Sequence, residues 1–266
     1  MTPTRLDAAV AARGLARSRN VAAKLIAQGR VRVDGVPVLK PSAAVDDASV
    51  IEVEASDHYV SRAAHKLLAA LDAFDVEPAG KLALDVGAST GGFTQVLLER
   101  GAARVIALDV GHGQLAAPVA GDPRVVNVEG VNARELTAGV LARVSGVRDA
   151  PRLVVGDVSF ISLKHVLPAV RSSVSDDADF VLLVKPQFEV GRTGVKEGIV
   201  RDAALRADAV AGVLWTAWDI GLGTAGLIPS PIAGTRGNRE YIAWLSAPRG
   251  KHPTEWVQRI STMVGA

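Results

Sequence analysis

KLALDVGASTGGFTQVLLERG, Lys81 to Gly101, is the stretch on which the fold turns. KLALDVG reads as a short apolar strand, and GGFTQVLLERG as a helix. Where they join, Gly87, Gly91 and Gly92 leave the backbone without bulky side chains. Such a loop lets a ligand come close to the backbone at the carboxyl end of the first strand. The spacing is not the G-x-G-x-x-G of a dinucleotide site, and no Gly-Lys-Ser/Thr ending follows, so nicotinamide cofactors and nucleoside triphosphates are disfavoured.

Outward from this point toward the carboxyl terminus the same rhythm repeats. ARVIALDVG (103–111), DPRVVNVEG (122–130), RLVVGDVSF (152–160) and DFVLLVKP (179–186) are short apolar strands separated by helical segments. That alternation builds an α/β fold, a mostly parallel sheet covered on both faces. GLGTAGLIPSPI and REYIAWLSA are expected as an antiparallel edge, with a helix over 201–219 and the segment 253–264 as covering layers. The four tryptophans, Trp215, Trp218, Trp244 and Trp256, are expected in the core or at an interface.

Asp109 closes the second strand 24 positions after Asp85, where a carboxylate in such folds accepts hydrogen bonds from ribose hydroxyls. A nucleoside-bearing ligand with a cationic rather than phosphorylated tail suits this pair, and S-adenosylmethionine is such a ligand. The plainer alternative is a tight strand-to-helix turn beside an ordinary surface aspartate. Asp157, Lys185 and Glu240 stand at later strand ends, on the side that faces the crevice of an open sheet. A carboxylate held next to a lysine on a neighbouring strand can be tuned for proton work.

Toward the amino terminus the character changes. Residues 1–42 hold Arg5, Arg13, Arg17, Arg19, Lys24, Arg30, Arg32 and Lys40 against Asp7 and Asp34, a net +6 that leaves −4 for the remainder of a chain whose total is +2. A basic module on a slightly acidic body suits a polyanion, nucleic acid above all, with a solvated basic face as the alternative. RLDAAVAARGLARSRNVAAKLIAQGRV reads as two short helices, broken at Gly14 and restarted by a Ser18 cap. VRVDGVPVLKP reads as a hairpin about Asp34-Gly35, and SVIEVE as a further strand. The 266 residues include no cysteine, which excludes disulfides, thiolate metal sites and thiol nucleophiles and fits the reducing cytoplasm. No leader peptide or membrane-spanning run is visible, so no membrane role is expected.

RSRNVAAKLIAQGRVRVDGVPVLKPSAAV resembles the S4-type RNA-binding domain. Together with SRAAHKL, DVGASTGGFT, LDVGHGQL, DPRVVNVEGVNAREL, GDVSFISL, LVKPQFEVG and GNREYIAWL, it makes the whole chain similar to the TlyA family. Those proteins join an S4-type domain to an FtsJ-like ribose 2′-O-methyltransferase that uses S-adenosylmethionine. The resemblance implies a small α+β S4-type domain over 1–56, a linker over 57–62, and a Rossmann-like class I methyltransferase over 63–266 with a mostly parallel seven-stranded sheet. It implies a catalytic set of Lys66, Asp157, Lys185 and Glu240, and cofactor contacts at Asp85, Gly87, Ala88, Ser89, Gly92, Phe93 and Asp109. Glu129 and Asn132 are expected near the adenine end. The eight amino-terminal cations would grip phosphates, ribosomal RNA or ribosomal subunits would be the partner, and cytidines in 16S and/or 23S rRNA the target, without a metal.

Two other readings come with it. A haemolysin label on relatives suggests a cytolysin, and a methyltransferase-like body could serve a non-catalytic ribosome assembly factor. The linker SDHYVSR departs from the family's tryptophan-containing form, leaving Tyr59 as its aromatic. In SRAAHKL, Ser61 is expected to cap a helix whose buried stripe is Ala64, Leu67, Leu68, Leu71 and Phe74. Lys66 lies off that stripe, so periodicity predicts an exposed lysine.

Overall fold

The structure is a computed structural model and describes residues 4–16, 18–53, 58–191, 194–234 and 237–265. The chain divides into two compact units, Met1–His58 and Tyr59–Ala266.

In the first unit β1 (Thr4–Arg5) leads into α1 (Leu6–Ala12), followed by α2 (Arg19–Ala27), β2 (Val31–Val33), β3 (Val36–Pro37), β4 (Ala44–Val45) and β5 (Ile51–Val53). The Ser18 hydroxyl accepts from the Val21 amide and caps α2, as its place in the sequence predicts. Asp34 and Gly35 both adopt positive φ, 51° and 78°, and join β2 to β3 by a two-residue hairpin turn. β2 also pairs antiparallel with β5, and β1 with β4. Leu6, Val10, Ala22, Ile26, Val31 and Val45 form the small core.

The second unit is built on one seven-stranded sheet. Its strands are β6 (Leu82–Val86), β7 (Arg104–Leu108), β8 (Val125–Val128), β9 (Leu153–Gly156), β10 (Asp179–Val184), β11 (Gly223–Pro229) and β12 (Tyr241–Ser246). They lie in the order β11-β12-β10-β9-β6-β7-β8; β6 to β10 pair in parallel, and β12 runs opposite to them, pairing antiparallel with both β10 and β11. Alternate residues of each strand face opposite layers. Leu84, Val154, Phe180 and Leu182 meet α6 (Ala138–Ser145), α7 (Leu163–Arg171), α9 (Ala203–Asp219) and α10 (Val257–Val264). Ala83, Val155, Val181 and Leu183 meet α3 (Ala64–Phe74) and α4 (Gly92–Glu99). Two single-turn helices, α5 (Ala117–Ala120) and α8 (Pro186–Glu189), complete the elements used below.

The topology places the site. Strand order reverses between β6 and β9, which opens a crevice at the carboxyl ends of the parallel strands. Because β12 runs antiparallel, its first residue Tyr241 pairs with Val184 at the end of β10. Glu240, immediately before β12, is therefore delivered to the same edge as Lys185, immediately after β10.

The four tryptophans divide between surface and interior. Trp215 and Trp218 are exposed on α9, edge-on to His252, whereas Trp244 and Trp256 are half-buried and donate to Asp179 and the Thr224 carbonyl. The cap expected at Ser61 is displaced. α3 begins three residues later, with Ala63 at its N-cap position, and the Ser61 hydroxyl instead accepts from the Ala63 amide in the turn before it.

Candidate active site

The crevice of the second unit holds two cavities that share Gly87, Ser89, Asp157 and Ser159. The first, about 250 Å³, is polar and is bounded by the turn Ser61–Ala63, the glycine loop after β6, and Lys66, Lys185 and Glu240. The second, about 350 Å³, has Asp109 at one side and Val110, Val131, Val158, Phe160 and Ile161 around it. Apolar walls with a few convergent polar groups are the usual make-up of a small-molecule site.

The four residues expected as a catalytic set meet in the polar cavity. Lys66 Nζ lies 2.6 Å from Glu240 Oε2 and 3.7 Å from Asp157 Oδ2, and Lys185 Nζ lies 2.6 Å from Asp157 Oδ1. Two cations and two anions thus alternate in one chain of contacts, Glu240–Lys66–Asp157–Lys185, with no net charge. Lys66, Lys185 and Glu240 are each under 10% exposed. Charges so buried persist only when paired, and here each is.

The exposed lysine predicted at position 66 is therefore corrected: Lys66 is buried at 6%. Helical periodicity places it correctly off the apolar stripe, but the neighbouring surface is the polar cavity rather than bulk water. A buried counter-ion 174 positions away cannot be read from a helical wheel.

Residues expected at the cofactor divide into two groups. Gly87, Ala88, Ser89, Gly92 and Phe93 line the polar cavity, while Asp109 and Asn132 line the apolar one. Asp109 is oriented by two backbone amides: Ser89 donates to Oδ2 and Gly111 to Oδ1, each at 2.8 Å. Gly92 is required by close approach, because a Cβ there would stand 2.8 Å from the Ser61 Cβ. Asp85 and Glu129 line neither cavity among the described residues. Glu129 accepts from the Gly113 amide, and this hydrogen bond holds its carboxyl below the usual range. Asp85 is fully buried behind the glycine loop, with Oδ2 accepting from Thr94 at 2.6 Å and Oδ1 without a partner. Burial pushes its pKa up to about 7.

Several residues at this edge carry no sequence signal of their own. Ser159 accepts from Lys185 Nζ at 2.8 Å, and Gln114 reaches across to the Ser89 hydroxyl at 3.2 Å. Glu189 accepts from both the Ser162 hydroxyl and the Leu163 amide, and so fastens the segment after Asp157 to the one after Lys185. A serine two places beyond a strand-end aspartate was the available hint for Ser159. Tyr59 belongs to this unit: its hydroxyl donates to Glu99 and its ring meets His65 edge-on at 5.7 Å.

In the first unit the basic residues are unequal. Arg5 and Arg19 both pair with Asp7, and the Arg5 hydrogen bond foremost holds that carboxyl down to about 2. Arg13 donates to the carbonyls of Asp46 and Ser49, and Arg32 to that of Gly35. Lys24 and Lys40 are exposed and make no ion pair among the described residues, and Arg30 is half-buried. Arg17 lies outside the described residues. No group of His, Asp and Glu able to hold a metal ion occurs among the described residues, nor any helix long and apolar enough to cross a membrane.

Comparison with known proteins agrees with both units. Residues 4–51 match the S4 domain, and residues 59–247 match the FtsJ-like methyltransferases. The 16S/23S rRNA (cytidine-2′-O)-methyltransferase TlyA of Mycobacterium tuberculosis is 52% identical over 91% of this chain and 89% of its own. Hemolysin A of Brachyspira hyodysenteriae is 40% identical over 90% of this chain and 98% of its own. A solved hemolysin-named protein from Streptococcus thermophilus is 34% identical, with a TM-score of 0.76, covering 100% of this chain and 96% of that one. An S4 domain followed by a seven-stranded Rossmann-like methyltransferase unit, with relatives this similar along nearly the whole length, places the chain in the TlyA family.

Proposed function

We propose that this protein is an S-adenosylmethionine-dependent methyltransferase of the cytoplasm that modifies the ribose 2′-hydroxyl of cytidines in 16S and/or 23S ribosomal RNA. One observation carries the reading above all. The continuous chain Glu240–Lys66–Asp157–Lys185 lines a polar cavity and reaches the neighbouring apolar one at Asp157.

The residues of the apolar cavity fit the cofactor. Asp109, oriented by two amides, would accept the ribose hydroxyls, and the walls from Val110, Val131 and Ile161 would take the adenine, with Asn132 at their rim. Gly87, Ala88, Ser89, Gly92 and Phe93 would border the methionine end. The unpartnered Asp85 Oδ1 lies behind that loop, a buried acceptor suited to cationic company. When bound, the cofactor supplies a methyl carbon made electrophilic by its sulfonium sulfur.

The chain's own residues then have mainly to align and support a hydroxyl. In this account the Lys185 ammonium stabilises the negative charge that grows on the 2′-oxygen as the hydroxyl proton passes to bulk water and the methyl carbon leaves its sulfur for that oxygen. Asp157 orients Lys185 through the 2.6 Å ion pair and is held in turn by Lys66. Glu240 balances Lys66, so the chain of four brings no excess charge to the cavity. The target nucleotide must leave its stack to reach this cavity, and that costs a few kcal/mol by analogy with base flipping. Phosphate contacts from the amino-terminal cations, Lys24 and Lys40 foremost, would offset it.

Incubating the protein with methyl-labelled cofactor and ribosomal subunits tests the proposal. Label should enter RNA, and replacing Lys185 by alanine should abolish it while RNA binding persists. Tight RNA binding without transfer to any subunit or assembly state would favour a non-catalytic assembly factor instead.

A further inference from the structure

The Lys185 ammonium is already fully engaged. Its three N–H groups face Asp157 Oδ1 at 2.6 Å, Ser159 Oγ at 2.8 Å and the Asp157 carbonyl at 3.4 Å. Two of these acceptors are fixed, one as an ion pair shared with Lys66 and the other as backbone. The third is a rotatable hydroxyl on an exposed residue that lines both cavities.

A serine that accepts from a lysine keeps its own O–H to donate. No acceptor for the Ser159 proton exists among the described residues. Its hydroxyl therefore extends the Lys185 charge by one hydrogen bond, to the place where the cavities join.

The local backbone holds the hydroxyl there. The next residue, Phe160, has φ of 65°, a left-handed conformation that a bulky aromatic adopts only when its surroundings impose it. On one side Asp157 is tied to Lys185 and Lys66. On the other, Ser162 and Leu163 are tied to Glu189, four residues beyond Lys185. Between these two anchors residue 159 borders both cavities.

We propose that Ser159 is a positioning residue for the reacting hydroxyl: it sets the direction of the Lys185 ammonium and lends it a second donor at the junction of the two cavities. The inference rests on the methyltransferase reading above. It adds a neutral fifth member to the set and explains how a lysine with no free N–H still acts on a substrate oxygen.

The test uses the full-length protein, ribosomal subunits that accept label from the wild type, and the variants Ser159→Ala and Ser159→Thr. Ser159→Ala should lower the single-turnover rate about 100- to 1,000-fold, the range for removing one preorganised donor. Its melting temperature and its affinity for S-adenosylhomocysteine should stay within error and within about twofold of the wild type. Ser159→Thr, which keeps the hydroxyl, should recover most of the rate. A merely structural serine would not divide alanine from threonine in this way. Three outcomes overturn the inference: Ser159→Ala as fast as wild type, threonine as slow as alanine, or a cofactor affinity that falls in step with the rate. An inactive wild type would instead overturn the methyltransferase reading, and the inference with it.

Discussion

Replacing Lys66 by methionine should destabilise the second unit far more than its place on a surface helix suggests. Lys66 and Glu240 are 7% and 3% exposed at their side chains, and their charged atoms stand 2.6 Å apart. Removing the lysine leaves Glu240 buried without a cation, since no other ion pair to it occurs among the described residues. Breaking a buried pair from one side costs about 3 kcal/mol or more. For a unit of this size that lowers Tm by about 6–12 °C. Glu240→Gln should cost less, because Lys66 keeps Asp157 at 3.7 Å. The double variant Lys66→Met/Glu240→Gln removes both charges and should regain much of the loss, giving a coupling energy of about 1–3 kcal/mol in a double-mutant cycle. Calorimetric melts of the four proteins measure this. Additive effects, or Lys66→Met within about 2 °C of wild type, would refute the argument that these charges are buried as a pair.

Three further outcomes follow from the same geometry. Asp85, with its pKa raised to about 7 by burial, binds its proton more tightly folded than unfolded, so it subtracts stability as pH rises from 4 to 7 and nothing more above that. Asp85→Asn should therefore stabilise the protein at pH 8 relative to wild type, by up to about 4 kcal/mol, with little gain at pH 4, as denaturant titrations at the two pH values would reveal. Gly234→Ala would drive a Cβ into the Glu240 carboxylate, so transfer should fall at least tenfold with cofactor affinity retained; activity equal to wild type would contradict the placement of Glu240. Lys24→Ala/Lys40→Ala should weaken RNA binding and reduce the slope of log affinity against log salt by about 1.4–1.8, whereas an unchanged slope would move the phosphate contacts elsewhere.

What the sequence made legible follows the range of each signal. Strand-loop-helix grammar at 81–101, the alternating apolar runs and the Ser18 cap are local, and the structure has them where the pattern puts them. Strand-end position likewise pointed to Asp157, Lys185 and Glu240, because an open sheet gathers such ends on one side. Lys66 was out of reach of periodicity: its position is helical, but its burial depends on Glu240, which only an antiparallel last strand brings near. Asp85 is the converse case. Its place in the motif suggests contact with a ligand, but the carboxylate turns back under the loop to Thr94. Among the amino-terminal cations, charge counting could not separate Arg5 and Arg19, which share Asp7, from Lys24 and Lys40: Arg5 pairs where β1 runs into α1, and Arg19 pairs because α2 packs on α1.

The most direct measurement is nucleoside analysis of 16S and 23S rRNA after reaction of the separate subunits with wild-type protein and with Lys185→Ala. The account predicts 2′-O-methylcytidine in at least one of the two RNAs with the wild type and none above background with the variant. A methyl group on a base, or equal 2′-O-methylation by the two proteins, would contradict it.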